Sequence, residues 1–226
     1  MATDHVRAEQ IDTLAPLLAH AFDIDPAYRY LIPDPHERVA GLTHFFASNL
    51  RTHLPHRCSY ASLASGRTAA TVTLRPPGGI PISALTMLRR GLLPFAFRHG
   101  RSAVQRLFWL KNTYDALEKD AANGRPHWHV HMMAVDASLQ GRGLGSQLLT
   151  EVLERTVDAQ AFSPCVLTTH LPQNVVFYQR AGFEVRAERQ LQPPDGAPYT
   201  VWLMAREGRP RVGWPACRIT TPTSCR

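Results

Sequence analysis

The stretch HVHMMAVDASLQGRGLG spans residues 129–145 and joins an apolar run to a short polar turn and three closely spaced glycines. The apolar run predicts a β-strand over 127–135, and the period that follows predicts a helix over about 143–159. A turn at this junction exposes main-chain N–H groups at a helix N-terminus, where the peptide dipoles add positive potential. Small residues let an anion approach the backbone, so the turn predicts either an anion-binding site or a plain strand–helix connection.

Two familiar phosphate-binding sequences do not describe this turn. No Gly-Lys-Ser/Thr follows it, as a Walker P-loop requires. Its glycines are too close together for the Rossmann fingerprint, and no acidic residue closes a second strand about 20 residues later.

The rest of the chain alternates between strand-like and helical patterns. We predict helices over 10–22 and 36–53 around a Pro-punctuated loop at 24–35, and a hairpin whose two strands meet at Gly66. Residues 82–122 are helical in pattern, with breaks at Gly91, Pro94 and Gly100. After 145 we predict a buried strand, a short helix that Asn174 caps or opens, and two final strands. The order predicts an α/β (α+β) protein with a mixed, mostly antiparallel sheet of about seven strands flanked by helices.

Composition limits the location and the partners. The formal charge is +7 and the pI about 9.7, but the basic residues are dispersed, so we expect no nucleic-acid partner. No apolar stretch is long enough for a membrane span, and the N-terminus lacks a signal-peptide pattern. The four cysteines match no zinc spacing and are expected to be reduced thiols. We therefore expect a cytoplasmic protein without a membrane partner, with one domain over 1–206 and a basic, flexible tail over 207–226.

Two motifs identify a family resemblance. The turn reads Q-x-x-G-x-G at Gln140, Gly143 and Gly145, and the later helix reads N-x-x-F-Y-x-x-x-G-F from Asn174 to Phe183. These motifs resemble the GNAT superfamily of acetyl-CoA-dependent N-acetyltransferases, over 127–206 in particular. The resemblance implies the GNAT fold, acetyl-CoA as co-substrate and no metal.

The resemblance also implies the residues that bind the co-substrate. Main-chain N–H groups over 141–146 would hold the CoA pyrophosphate, and the backbone over 133–135 would pair with the pantetheine arm like an added strand. The implied binding residues are Met133, Ala134, Val135, Gln140, Gly141, Arg142, Gly143, Leu144, Gly145, Ser146, Asn174 and Tyr178.

Three histidines alternate along the predicted strand, so His127, His129 and His131 share one face. An imidazole can accept a proton near neutral pH. The segment resembles the arylalkylamine N-acetyltransferases, which place two alternating histidines at this distance from the turn. That resemblance assigns His129 and His131 as the base relay and Tyr178 as the general acid. The same face could instead hold a metal ion, or these side chains could be ordinary packed residues.

The acceptor is expected to be a small-molecule amine. In the GNAT superfamily the first two helices and their loop build the acceptor pocket, which points to Phe22, Tyr28, Tyr30 and Asp34; equally, these aromatics could simply pack the helix ends. The helical insertion over 82–124 resembles the puromycin N-acetyltransferase branch and is expected to enclose the pocket. A protein or peptide acetyltransferase and a catalytically idle CoA-binding regulatory module stay open as alternatives, and the protein is expected to be a monomer or a homodimer.

Overall fold

The computed structural model describes residues 3–64, 67–160 and 163–208. Seven strands form one sheet in the order β1-β2-β3-β4-β5-β7-β6. Neighbouring strands are antiparallel except β4 and β5, which are parallel. The predicted class and the mostly antiparallel sheet are therefore confirmed. The strands are β1 Thr3–His5, β2 Ser59–Ala64, β3 Arg67–Arg75, β4 Trp128–Val135, β5 Cys165–Thr169, β6 Glu184–Leu191 and β7 Tyr199–Arg206.

Seven α-helices flank the sheet within the described residues: α1 Ile11–Phe22, α2 Pro26–Leu31, α3 Pro35–His53, α4 Ala84–Met87, α5 Leu93–Ala121, α6 Leu144–Arg155 and α7 Pro172–Arg180. The loop predicted over 24–35 is wrong, because α2 lies within it. Asp25 accepts a hydrogen bond from the N–H of Ala27 at 2.9 Å, and Pro26 occupies the first turn, where its missing N–H costs nothing. Asn174 does not cap α7, because that helix begins two residues earlier.

The helical insertion lies where it was predicted, between β3 and β4. A π-helical turn, Leu88–Leu92, joins α4 to α5, so Gly91 does not interrupt the helix. Pro94 sits in the first turn of α5, and only Gly100 leaves the helical conformation, with φ 76°. The insertion packs tightly on α3, because a Cβ at Gly41 would lie 2.6 Å from a ring carbon of His99.

The two faces of the sheet carry different helices. Helices α1, α3 and α5 share an apolar cluster on one face, which includes Leu14, Phe46 and Leu110. On the other face, α6 packs on the sheet through Leu148 and Leu149. None of the described helices combines the length and the apolar composition needed to cross a bilayer.

Two sequence predictions concern residues beyond this description, the turn at Gly66 and the C-terminal tail. The two strands predicted on either side of Gly66 are β2 and β3, which pair antiparallel. From residue 209 onward, the predicted flexible tail lies outside the described residues, so its flexibility stays a prediction. The one-domain boundary stays a prediction too. Cys58 and Cys165 are free and buried, and the reduced state of the four cysteines stays a prediction.

Candidate active site

Strands β4 and β5 diverge after a short paired start. They pair only at Trp128 with Cys165 and at His129 with Val166. Beyond His129, β4 continues to Val135 along β3 but has no register partner on β5. The β4 edge that faces β5, which includes residues 133–135, therefore offers main-chain groups to an extended ligand.

The glycine turn lies where β4 passes into α6. Gly143 caps α6 with φ 77°, and Gly141 has φ 76°, conformations that favour glycine. The N–H of Gln147 is the first to bond back, to the Gly143 carbonyl at 3.0 Å. The preceding N–H groups of the first turn thus have no intrahelical partner and can bind an anion.

The missing side chain of Gly145 is required for packing. A Cβ at this position would lie 2.8 Å from Cγ2 of Val135 and 3.3 Å from Cε of Met133. The absence of a side chain lets α6 lie directly on β4. Gln140 adds a second link, because its side-chain amide donates to the Val135 carbonyl at 3.3 Å.

A cavity of about 900 Å³ extends from the gap between β4 and β5 to the helices on that face. Its volume is within the range of small-molecule sites. An aromatic wall comes from α1, α2, α3 and α5: Phe22, Tyr28, Phe45, Phe95, Phe108 and Tyr114. Polar groups line the cavity from several elements: His129 and His131 from β4, Asn174 and Tyr178 from α7, and Glu118 from α5.

A register shift in β4 places the two predicted histidines. Thr73 pairs with Met132 but Leu74 pairs with Val130, so His131 is an extra residue in a β-bulge. His129 and His131 both line the cavity, with ring centroids 5.5 Å apart. His127 lies before the strand, and its Nδ1 is 2.9 Å from the Arg125 carbonyl oxygen. The structure therefore brings two of the three histidines together.

His131 is held by an arginine that the sequence pattern did not single out. Arg75 Nη2 lies 2.9 Å from Nε2 of His131, and Arg75 Nε lies 3.0 Å from Nε2 of His53. Because a guanidinium only donates, both ring nitrogens must accept. Burial, reinforced by the Arg75 charge, lowers the pKa of His131 well below its usual value and that of His53 to about 4. Both rings are neutral at pH 7.

His129 has a different neighbour. Its Nδ1 lies 3.2 Å from Oε2 of Glu118 on α5, within ion-pair distance but not aligned as a hydrogen bond, and both side chains are buried. Burial lowers the pKa of His129 well below its usual value and raises the pKa of Glu118 to about 7. No carboxylate stands directly beside His129 or His131 in the sequence, and Glu118 belongs to no motif, because α5 brings it from a distant segment.

A second buried network forms one end of the cavity. His170 Nδ1 lies 2.8 Å from Oδ2 of Asp25, and its Nε2 lies 2.6 Å from the Tyr114 hydroxyl. Tyr114 also meets the Tyr199 hydroxyl at 3.1 Å. A neutral His170 would donate to Asp25 and accept from Tyr114, which satisfies both ring nitrogens. The network ties α2, α5, β5 and β7 together behind the aromatic wall.

Tyr178 lies on α7 against an aromatic cluster. Its ring centroid is 5.0 Å from that of Phe177 and 5.8 Å from that of Phe183. Burial raises the pKa of the Tyr178 phenol, so it keeps its proton at neutral pH. Tyr178 and Asn174 both border the cavity.

The four residues suggested for the acceptor pocket divide into two pairs. Phe22 and Tyr28 line the cavity. Tyr30 instead packs edge-on against Trp109, and Asp34 caps α3 by accepting from the N–H of His36. Neither Tyr30 nor Asp34 is among the residues that line the cavity, so we no longer assign them to the acceptor site.

The alternative of a metal site gains no support from the geometry. Across residues 3–64, 67–160 and 163–208, no three His, Cys, Asp or Glu side chains are arranged to hold a metal ion. The Nε2 lone pair of His131 already accepts from the cationic Arg75.

Comparison with known proteins gives a consistent result. Residues 107–185 match the Acetyltransferase (GNAT) domain family. The chain is similar to a polyamine N-acetyltransferase of Drosophila melanogaster that forms N-acetylagmatine (TM-score 0.63, 18% identity, 91% of this chain and 99% of that one). It is also similar to the C-terminal condensation domain of Ebony, solved with beta-alanyl-dopamine (TM-score 0.68, 14% identity, 91% of this chain and 98% of that one). A third similar structure is the ribosomal-protein-alanine N-acetyltransferase from Brucella melitensis (TM-score 0.56, 11% identity, 92% of this chain and 99% of that one). At these identities the likeness shows the fold alone.

Proposed function

Because this chain carries a GNAT acetyltransferase domain and the GNAT fold, we propose that it transfers the acetyl group of acetyl-CoA to the amine of a small molecule. The transfer is a direct attack of the amine on the thioester in a ternary complex. The observation that carries the proposal is the divergence of β4 and β5 beside the glycine turn, with a cavity that reaches from the gap to His129.

The residues around the gap fit acetyl-CoA. The unpaired N–H groups of the first turn of α6, with Arg142 beside them, suit a pyrophosphate. The free edge of β4 suits the amide-bearing pantetheine arm, which would run along residues 133–135. Asn174 and Tyr178 border the same cavity, and we assign them to the surroundings of the thioester.

We assign different roles to the two histidines. His129 is the proton acceptor: with Nδ1–H toward Glu118, its other ring nitrogen is free to take the proton of the attacking amine. An ionised Glu118 then stabilises the imidazolium. His131 cannot share this task while its Nε2 accepts from Arg75, so it shapes the site as a neutral hydrogen-bonding group.

Tyr178 is proposed as the acid that returns a proton to the departing thiolate. Its phenol is protonated at neutral pH because burial raises its pKa. Proximity supplies much of the remaining acceleration, because the cavity holds amine and thioester together.

The cavity favours an amine carried on an apolar, aromatic-sized body. Aromatic rings dominate the helix side. Three carboxylates line the cavity, and each already has a partner: Asp25 contacts His170, Asp115 pairs with Lys111 at 2.5 Å, and Glu118 lies beside His129. A polyamine, which needs several such carboxylates, fits less well.

Two alternatives remain. A protein or peptide acetyltransferase would use an open groove, which the walled cavity does not favour. A catalytically idle CoA-binding module would bind acetyl-CoA without turnover. The cytoplasmic location and the monomeric or homodimeric state stay predictions.

A thiol-release screen tests the proposal. The purified protein, acetyl-CoA and single amines are combined: aromatic alkylamines, puromycin, aminoglycosides, polyamines, and peptides with free N-termini. Turnover with aromatic monoamines supports the proposed acceptor class, and turnover only with peptides supports the first alternative. Acetyl-CoA binding without turnover on any amine supports the second, and absence of binding to any CoA species would refute the assignment.

A further inference from the structure

Residues 82–110, which we call the mouth segment, have an unusual composition. They contain five arginines and no aspartate or glutamate. Of the ten large apolar side chains that are exposed among the described residues, six lie here: Leu85, Met87, Leu88, Leu93, Phe97 and Phe108. Phe97 is 96% exposed. A concentration of exposed apolar side chains indicates contact with a second surface.

Three arginines of the mouth segment have no ion-pair partner among the residues that the structure describes. Arg89, Arg98 and Arg101 are exposed, and none of them takes part in an ion pair between described residues. Arg106 differs, because its Nε pairs with Asp195 at 3.0 Å. The three free guanidinium groups lie among the apolar side chains listed above and complement an anionic partner.

The apolar surface continues into the cavity. Met87, Phe97 and Phe108 are exposed and also line the cavity, together with Leu92 and Pro94 of the same segment. Whatever covers the mouth segment therefore lies at the entrance of the cavity.

We propose that the mouth segment docks the protein on an anionic lipid surface. Phe97 and Leu93 enter the acyl boundary, while Arg89, Arg98 and Arg101 meet lipid phosphates. The cavity then opens at the membrane interface, where an apolar amine would concentrate. This departs from the expectation of no membrane partner, which rested on the absence of a spanning segment. The proposal does not depend on acetyl transfer.

Two other partners fit less well. A symmetric dimer through this face would bring the arginines of both copies together, because a two-fold interface uses the same patch twice. Nucleic acid would contact the arginines but would leave the exposed Leu and Phe side chains without a partner.

Vesicle co-sedimentation of the full chain tests the proposal. We expect binding to vesicles of phosphatidylcholine with phosphatidylserine and little binding to phosphatidylcholine alone. Leu93→Ser with Phe97→Ser, and separately Arg89→Glu with Arg101→Glu, should each lower the partition coefficient about tenfold. All four side chains are exposed, so we expect an unchanged far-UV circular dichroism spectrum.

Matched control variants separate the surface from general effects. Val176→Ser with Val185→Ser removes two exposed apolar side chains elsewhere, and Arg67→Glu with Arg180→Glu makes the same charge change elsewhere. Both controls should bind like the wild type. The proposal is overturned if the wild type does not bind anionic vesicles or if controls and mouth variants lose binding equally. It is also overturned if the mouth variants only dissociate a dimer in sedimentation velocity or only weaken binding to DNA.

Discussion

Glu118 Oε2 lies 3.2 Å from Nδ1 of His129, and both side chains are largely buried at the wall of the cavity. The carboxylate comes from α5 and the imidazole from β4. Their proximity joins the helical insertion to the strand that borders the gap between β4 and β5. If His129 receives the proton of the amine, the charge state of Glu118 controls how well it does so.

The pH dependence of turnover should follow Glu118 rather than a histidine. The pKa of Glu118 is about 7, whereas those of His129 and His131 are well below 6.5. We expect kcat/KM of the wild type to fall as the pH drops below about 7. Glu118→Gln should lower kcat/KM above pH 7 by about ten- to hundredfold and remove that inflection. An unchanged pH profile in Glu118→Gln would show that Glu118 does not control the pH dependence. An unchanged rate in His129→Ala would show that the imidazole of His129 is not the proton acceptor.

The same substitution should stabilise the protein at alkaline pH. The folded pKa of Glu118 lies above its usual value of 4.5, so the folded state binds the proton more tightly than the unfolded state between these values. The contribution of Glu118 to the free energy of unfolding of the wild type therefore decreases as the pH rises from 4.5 to 7. Glu118→Gln should raise the free energy of unfolding at pH 8 by about 1–3 kcal/mol and change it little at pH 4. Urea unfolding at both pH values, with the exposed Glu154→Gln as control, checks this; equal stability at pH 8 contradicts it.

Arg75 should control the titration of two histidines. After burial, its charge is the largest cause of the low pKa values of His53 and His131. Arg75→Met should raise both pKa values, which NMR titration of the ring protons measures. The control is Arg67→Met at the exposed start of the same strand, which should leave both unchanged. If Arg75→Met leaves the two titrations as they are, the contacts at 2.9 and 3.0 Å do not set the charge state of the site.

Much of the fold was predictable because it depends on local patterns. The apolar period over 10–22 predicts α1, and the Q-x-x-G-x-G motif predicts the junction between β4 and α6. The short helix α2 is hard to predict because proline is also typical of loops. Asp25 is nevertheless an N-cap that makes Pro26 a good first residue of α2, as Asp34 does for Pro35 at the start of α3.

The site was only partly predictable because its remaining members come from distant segments. Glu118, Arg75 and His53 lie on α5, β3 and α3, and no motif spacing links them to β4. The bulge at His131 was also hidden, since a strict alternation describes an unbroken strand. Among these distant residues, Arg75 alone has a recognisable sequence feature, because a single arginine ends a buried strand there.

The glycine turn should bind acetyl-CoA through a backbone conformation with positive φ, which alanine adopts only at a cost in free energy. Gly143→Ala should cost about 1 kcal/mol in folding free energy and weaken acetyl-CoA binding, measured by calorimetry. Gly78 is a matched control: its φ is 84°, and a Cβ there, as at Gly143, would meet nothing within 4 Å. Gly78→Ala should cost the same in stability and leave the affinity unchanged. Equal acetyl-CoA affinity in both variants would place the pyrophosphate elsewhere.

Tyr178→Phe should slow acetyl transfer without affecting the fold or acetyl-CoA affinity. Removal of the hydroxyl leaves the ring packed against Phe177 and Phe183 but takes away the proton for the thiolate. We expect a loss of about a hundredfold in the single-turnover rate with an aromatic amine. Tyr60→Phe is the control, because Tyr60 stacks on His5 and does not line the cavity. If Tyr178→Phe is as fast as Tyr60→Phe, the thiolate obtains its proton from another donor, and Tyr178 serves only to shape the cavity wall.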